Sequence, residues 1–410
     1  MVQIKAINWH LQFKCYQIMK QELVNFSNTH IAFQSKSNKE LRNSFMLFKA
    51  ISYNWLVQAG PKMVALCFNI GLPIKGIIRK TVFHQFCGGE NISECEGNIQ
   101  LMHKYGVGTI LDYSVEGEEK EEVFEETAKE IILTIEKAAG NVAIPFSVFK
   151  VTGVARLELL ERVNSKKKLS EAEQEEFTKV KLRIHAICES AYKNNVRLFI
   201  DAEESWIQEA IDGLVTDMML LFNKERAIVY NTIQFYRHDR LAFLENSIAH
   251  AAANSYFYGV KLVRGAYMEK ERQRALEMSY LDPIQPDKKA SDRDYNEGLK
   301  LCIQHLDHVA FCAGTHNEDS CIFLMELMCT YKIPSNDERV YFSQLFGMSD
   351  HLSYNLANGG YRVAKYLPYG PVKAVLPYLF RRAQENTSVK GQAGRELSLV
   401  QTELRRRKHA

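Results

Sequence analysis

Val107-Gly-Thr-Ile-Leu-Asp-Tyr113 is a short, apolar, β-branched run, and residues 118–139 after it place apolar side chains at three- and four-residue spacing. This pairing of a strand-like run with an amphipathic helix decides the fold, because it recurs down the chain. Further strand-like runs lie at residues 142–150, 196–201, 227–234, 259–264, 309–314, 340–345 and 362–366. Helical stretches separate them, such as the charged 171–193. A polar segment, 281–295, interrupts the fifth helix and reads as an exposed excursion. Eight strand–helix units in about 280 residues suit the count and size of a closed barrel. An open doubly wound sheet is the competitor, but it calls for a glycine-rich fingerprint after the first strand, where Gly117 and Gly153 stand alone. The expectation is an α/β protein, a distorted (β/α)8 TIM barrel over residues 106–390.

The flanks carry less information. Residues 31–105 form an unusually apolar helical arm (Leu41, Phe45, Phe48, Ile51 and Trp55 recur at helical spacing), expected to pack on the barrel. Residues 1–30 read as a poorly ordered extension; they lack the apolar core of a secretory signal, and the absence of arginine counts against a mitochondrial presequence. Residues 391–410 read as a tail whose basic cluster, Arg405-Arg-Arg-Lys-His409, is solvated. The net charge of +3 is too small to argue for nucleic acid. Nine scattered cysteines, never spaced Cys-x-x-Cys, argue against a metal site or a disulfide framework and fit a reducing compartment. No run of about eighteen apolar residues predicts a transmembrane helix.

Barrel enzymes build their sites at the C-terminal ends of the strands. Those ends carry Lys150, Asp201, Gln234, Lys261-Leu-Val-Arg-Gly-Ala-Tyr267, Thr315-His-Asn317, Gln344-Leu-Phe-Gly-Met348 and Tyr366. Each has a dull explanation. Asp201 could cap the next helix, His316 could be a satisfied structural histidine, and Tyr366 could be rim packing. Their convergence on one mouth is the stronger signal, because buried polar groups need partners. Beyond the eighth strand, Gly370-Pro371 breaks the chain and a helix with Pro371 as its first residue is expected to run to about Asn386. Tyr378, Arg381, Arg382 and Glu385 share one face of it. Paired guanidinium forks suit a small carboxylate; the plainer reading is a solvated Arg–Arg pair with a local glutamate.

At these residues the chain resembles the family of FAD-dependent, monofunctional proline dehydrogenases. Asp201-Ala-Glu-Glu204, Lys261-Leu-Val-Arg-Gly-Ala-Tyr267, Gly314-Thr-His-Asn317, Gln344-Leu-Phe-Gly-Met348, Lys365-Tyr-Leu-Pro-Tyr-Gly370 and Pro377-Tyr-Leu-Phe-Arg-Arg-Ala-Gln-Glu-Asn386 carry the likeness, in order, from about Ser147 to Asn386. The resemblance implies oxidation of L-proline to Δ1-pyrroline-5-carboxylate, the first step of proline catabolism. Hydride would pass from proline C5 to flavin N5, and electrons onward to a membrane quinone. It implies that the final helix lies over the strand-end mouth. Arg381 and Arg382, with Lys150, would hold the proline carboxylate, while Tyr366, Tyr378 and Leu345 wall the ring. Asp201 and Lys261 would be the catalytic pair near the flavin's reactive edge. Ala202, Gln234, Arg264, Gly265, Ala266, Thr315 and His316 would contact FAD, and Glu385 would orient the arginines or touch the cofactor. Gly265 would let the backbone approach the cofactor. Family members often carry arginine where this chain has Lys261, and hydroxyproline-preferring relatives tend to have a smaller residue where it has Tyr366. The expected setting is a bacterial cytoplasm, peripheral on the inner membrane, rather than a mitochondrion, with a pyrroline-5-carboxylate dehydrogenase as partner. Two rivals fit the barrel without the resemblance: a class I aldolase forming a Schiff base on Lys150 or Lys261, and a non-enzymatic peripheral membrane scaffold.

Overall fold

The computed structural model describes residues 24–70, 72–114, 120–388 and 392–409; the expectation for residues 1–23 and the start of the helix expected from 118 lie outside them. In the N-terminal arm, Ser37 and Glu40 form a reciprocal capping box on helix α1 (Asn38–Ile51). Helix α2 (Asn54–Asn69) contains Pro61, a π-helical turn spans Arg79–Phe83, and Asn91 caps α3 (Ile92–Lys104).

The barrel follows as β1 (Val107–Tyr113), α4 (Glu121–Ala138), β2 (Phe146–Lys150), α5 (Glu171–Lys193), β3 (Arg197–Asp201), α6 (Ser205–Phe222), β4 (Val229–Gln234) and α7 (Arg240–Ala253). It continues with β5 (Tyr258–Val263), α8 (Met268–Met278), α9 (Lys288–Gln304), β6 (Val309–Gly314), α10 (Glu318–Thr330), β7 (Val340–Leu345), α11 (Asp350–Asn358) and β8 (Val363–Tyr369). Every neighbouring pair of strands is parallel and β8 closes on β1, with Ile110 opposite Tyr366.

Period-two alternation divides each strand between two cores. Leu198 and Ile200 face the helices and share a core with Ile207 and Ile211 of α6. Phe199 between them faces inward and stacks on Phe146 at 4.3 Å; Tyr230 and Tyr341 meet Phe146 edge-on at 5.6 and 4.8 Å. Below this plug the Arg197 guanidinium lies 5.6 Å from the Phe146 ring and closes the floor. Only the opposite, C-terminal end of the barrel is left to build a site.

Three local expectations are corrected. Pro371 does not start the last barrel helix: residues 371–375 form a turn, and α12 (Leu376–Ser388) begins after it with Pro377 in its first turn. A missing N–H costs nothing there, because those donors are orphans in any helix. The segment 281–295 is an exposed excursion only in part: Leu281 and residues 286–289 are exposed, but α9 takes over at Lys288, and Ile284, Gln285, Asp294 and Tyr295 are buried. The basic end is a packed helix rather than a tail, although its Arg405, Arg406, Lys408 and His409 are exposed, as expected. Helix α13 (Gln392–Lys408) packs Leu399 and Val400 against Phe33 and Leu41, and its buried Glu403 accepts from Arg406 and Arg407 at 2.8 and 2.7 Å. A basic cluster read alone hides the three- and four-residue spacing of Glu396, Leu399, Val400, Glu403 and Leu404, which marks one inward face.

Candidate active site

Three strands deliver one side chain each to the same point in the mouth. Lys261 projects inward from β5, only 4% exposed, and its ammonium donates to Asp201 Oδ1 at the end of β3 and to the Tyr366 hydroxyl of β8. The Tyr366 hydroxyl in turn donates to Asp201 Oδ1 at 3.3 Å. Burial, and then the Asp201 charge, push the Tyr366 phenol well above its ordinary range, so it stays neutral. The ammonium also lies 4.6 Å from the Tyr366 ring and 5.2 Å from the Phe199 ring beneath it. A buried cation, a carboxylate and a phenol thus form a triangle on an aromatic floor.

Helix α12 roofs this triangle. Tyr378 and Arg382 are buried, with the Arg382 guanidinium 5.0 Å from the Tyr378 ring, which disposes of the solvated reading for Arg382. Leu345, half-buried at the end of β7 and opposite Tyr366, packs both on the barrel's inner cluster and on the roof cluster of Tyr378 and Leu379. It is a packing contact shared by floor and roof. The cations converge as well. Burial raises the Tyr267 phenol, while the charges of Lys150, at the end of β2, and Arg381, on the roof, both pull it down. Arg382 reaches the other side of the mouth: burial first, then Lys365 and Arg382, hold the His316 imidazole down to about 3. Arg381 thus shares the surroundings of Tyr267 with Lys150, and Arg382 those of His316 with Lys365. The Glu385 side chain lies outside the described residues.

The far arc of the mouth, from β3 to β6, holds Ala202, Gln234, Arg264, Gly265, Ala266, Thr315 and His316. Gln234 is buried, and its Oε1 has no hydrogen-bond partner among the described residues, which is the mark of a ligand-facing acceptor. Arg264 is anchored by Asp292 (2.6 Å), Thr315 Oγ1 (2.9 Å) and Ser320 Oγ (2.8 Å), and lies 4.2 Å over the Tyr295 ring. His316 Nδ1 sits 2.8 Å from Ser349 Oγ. Gly265 has φ +124°, and a Cβ there would meet the Tyr236 ring at 2.5 Å, so the tyrosine and the backbone require the glycine rather than a cofactor's approach alone. The exposed backbone at Gly265 and Ala266, the anchored guanidinium and the orphaned Gln234 oxygen together suit a polar cofactor of several hydrogen-bonding groups.

The sequence reading missed three neighbours. Phe199 was readable from its place two residues before Asp201. Tyr267 was quoted but given no role. Glu203, 3% exposed, takes hydrogen bonds from the Thr152 N–H (3.0 Å) and hydroxyl, and no local pattern announces that pairing.

Comparison with known proteins bears on this arrangement. A family profile described as Proline dehydrogenase matches residues 95–395. Proline dehydrogenase 1, mitochondrial, of Dictyostelium discoideum is 32% identical over 93% of this chain and 74% of its own length. Hydroxyproline dehydrogenase of Xenopus laevis is 30% identical over 94% and 91%. The crystal structure of proline utilization A from Bdellovibrio bacteriovorus, inactivated by N-propargylglycine, superposes with a TM-score of 0.70 at 18% identity and shares the fold; the match covers 88% of this chain but 38% of that one. With its closed barrel, its roofed mouth and a profile match running through both, the chain belongs to the proline dehydrogenase family.

Proposed function

We propose that this chain oxidises L-proline to Δ1-pyrroline-5-carboxylate with FAD as its cofactor, passing electrons to a membrane quinone. The observation that carries the reading is the Lys261–Asp201–Tyr366 triangle lying beneath a roof whose buried Arg382 stands over the Tyr378 ring. Ala202, Gln234, Arg264, Gly265, Ala266, Thr315 and His316 would hold FAD, which would supply a two-electron acceptor for hydride from proline C5. Arg381, Arg382 and Lys150 grip the substrate carboxylate and fix which ring carbon faces the far arc. Tyr366, Leu345 and Tyr378 wall the ring and exclude water. The substrate ammonium must lose a proton before its C–H bond breaks, and Asp201 is the carboxylate we assign to take it. Lys261 keeps a positive charge at the floor where negative charge develops.

Family membership replaces the aldolase and scaffold readings. Among the described residues no helix is long and apolar enough to cross a membrane, so a peripheral position is the one we propose. The name of the Dictyostelium relative favours a mitochondrial setting over the bacterial cytoplasm. A pyrroline-5-carboxylate dehydrogenase is the proposed partner, since the product needs a second oxidation.

Anaerobic titration with proline, read as bleaching of the bound flavin, tests the reading in wild type and Arg381→Met. Losing one charge-assisted contact raises the proline needed for half-bleaching by roughly 10- to 100-fold. Equal sensitivity of the two proteins removes the arginine from substrate binding, and no bleaching at all removes the reaction.

A further inference from the structure

The N-terminal arm carries a surface that the reaction does not use. Between Glu40 and Glu90 the chain has no acidic residue, yet it has six basic ones: Arg42, Lys49, Lys62, Lys75, Arg79 and Lys80. The whole chain carries +3, so everything outside residues 41–89 sums to −3 and the positive charge is gathered here. All six basic side chains are exposed. Lys75 and Arg79 reach Glu90 and Glu94; Arg42, Lys49, Lys62 and Lys80 form no ion pair among the described residues. Interleaved with these cations are large apolar side chains held out in solvent: Met46 (64% exposed), Trp55 (64%), Met63 (54%), Ile70 (62%) and Ile77 (65%). Trp55, Lys62 and Met63 stand seven and eight residues apart on α2, the spacing of a single helical stripe. Apolar groups grouped in this way are not the scattered singles of an ordinary surface.

The other side of the same helices is fully used. Phe48, Ile51 and Val57 are buried against Tyr378 and Leu379 of the roof and against Met348. A rotation of the arm that buried Trp55 or Met63 on the barrel would strip the roof of its support. Among the described residues nothing covers the exposed stripe.

We propose that this outer face of the arm is an in-plane docking surface for an anionic phospholipid bilayer. Charge decides the occupant. A second copy of the chain, joined through the same patch on each protomer, would press six cations against six. A bilayer of anionic lipids offers headgroups for the lysines and an acyl boundary for the tryptophan, methionines and isoleucines, the combination that holds interfacial helices. Since the buried face of the arm supports α12, the docked bilayer lies one helix layer from the roof of the active site. The inference rests on the proposed reaction only for its use, which is to bring the mouth to the membrane that holds the electron acceptor.

The test is co-sedimentation of the full chain with vesicles of phosphatidylcholine alone or mixed with phosphatidylglycerol. Soluble-dye reduction by proline and size-exclusion chromatography are run without vesicles. The wild type is expected to pellet with the anionic vesicles and not with the neutral ones. Replacing Lys49→Gln and Lys62→Gln together weakens that partition roughly 30-fold, about fivefold for each cation near an anionic surface. Trp55→Asp with Met63→Asp leaves the protein in the supernatant, with dye turnover unchanged within about twofold, since neither side chain supports the core. Wild type that stays in solution with anionic vesicles overturns the proposal, as does pelleting unaffected by either double variant. A dimer abolished by the aspartates, without vesicle binding, overturns it in favour of self-association. Pelleting without proline turnover sustains the docking surface and removes the enzymatic reading instead.

Discussion

Tyr366 is asked to do two things that its chemistry ties together. Its ring walls the space under the roof, while its hydroxyl shares the Lys261 ammonium with Asp201. Replacing it with a smaller residue opens volume where we propose that the substrate ring lies and leaves the Lys261–Asp201 contact standing alone. A ring hydroxyl on the substrate could then occupy the vacated space and restore the lost hydrogen bond. Proline has nothing to offer there. Tyr366→Ser is therefore expected to lower kcat/KM for proline and to raise the hydroxyproline-to-proline ratio by about tenfold, the worth of one neutral hydrogen bond. Steady-state kinetics on both substrates measures it. A ratio that does not move would mean that substrate never reaches the tyrosine.

At the scale of elements, the connection between β7 and α11 matters most, because it sets the height of Leu345. Lys365 of β8, 1% exposed, donates to the Met348 carbonyl at 2.6 Å and to Asp350 Oδ1 at 2.7 Å; Lys36 binds the other carboxylate oxygen at 2.7 Å. Gln85 of the arm donates to the Gly347 carbonyl at 2.7 Å, and Gly347 itself, at φ +76°, has no room for a Cβ. Burial alone would raise the Asp350 carboxyl, but the charges of Lys36 and Lys365 overcome it and hold it below its usual range. Asp350→Asn leaves two lysines without their shared carboxylate, a loss of about 3–5 kcal/mol in unfolding free energy, and should raise KM for proline as Leu345 loosens. An unchanged denaturation midpoint would show that water replaces the carboxylate. None of this tie was legible in the sequence, whereas the elements it joins were. β1, β6 and β7 have the expected bounds, because each is a β-branched or aromatic run between polar turns. β2 starts four residues late, at Phe146, since Pro145 cannot donate to a ladder. The polar strand ends were legible as a set, but their pairings were not. Arg264 finds Asp292 and Ser320 on two later helices, 28 and 56 residues away, and no local period encodes such a meeting.

For the whole molecule, the perturbed acids and His316 set a pH range in which the fold is most stable. Hydrogen bonds and neighbouring charges hold Asp239, Glu318 and Glu403 down to about 2: against the opposing effect of burial, Arg240 and Arg237 do so for Asp239, the His351 hydrogen bond and Arg395 for Glu318, and Arg406 and Arg407 for Glu403. An unfolded chain takes up these protons nearer pH 4, so their stabilisation is complete above that and is lost as pH falls towards 2. His316, held neutral down to about 3 by burial and by Lys365 and Arg382, adds a loss that begins as pH drops below its ordinary 6.5. Glu203 works in the opposite sense. Burial raises it to about 7 despite the pull of Thr152 and Lys150, so the native state keeps a proton that the unfolded chain releases above 4.5. Its contribution is complete below 4.5 and is lost as pH rises through 7. Between about pH 4.5 and 6.5 the His316 and Glu203 effects oppose and nearly cancel, so the melting temperature should be level there, fall steeply as pH drops below about 4 and fall slightly as pH rises from 6.5 to 7. Glu203→Gln, which keeps the Thr152 contact and cannot ionise, should remove the loss between pH 4.5 and 7, on the order of 3 kcal/mol, so that stability instead rises with pH up to about 6.5, and leave the fall below about pH 4 alone. Thermal unfolding followed by circular dichroism across this range decides the point. A profile identical in the variant would place that proton on some group other than Glu203.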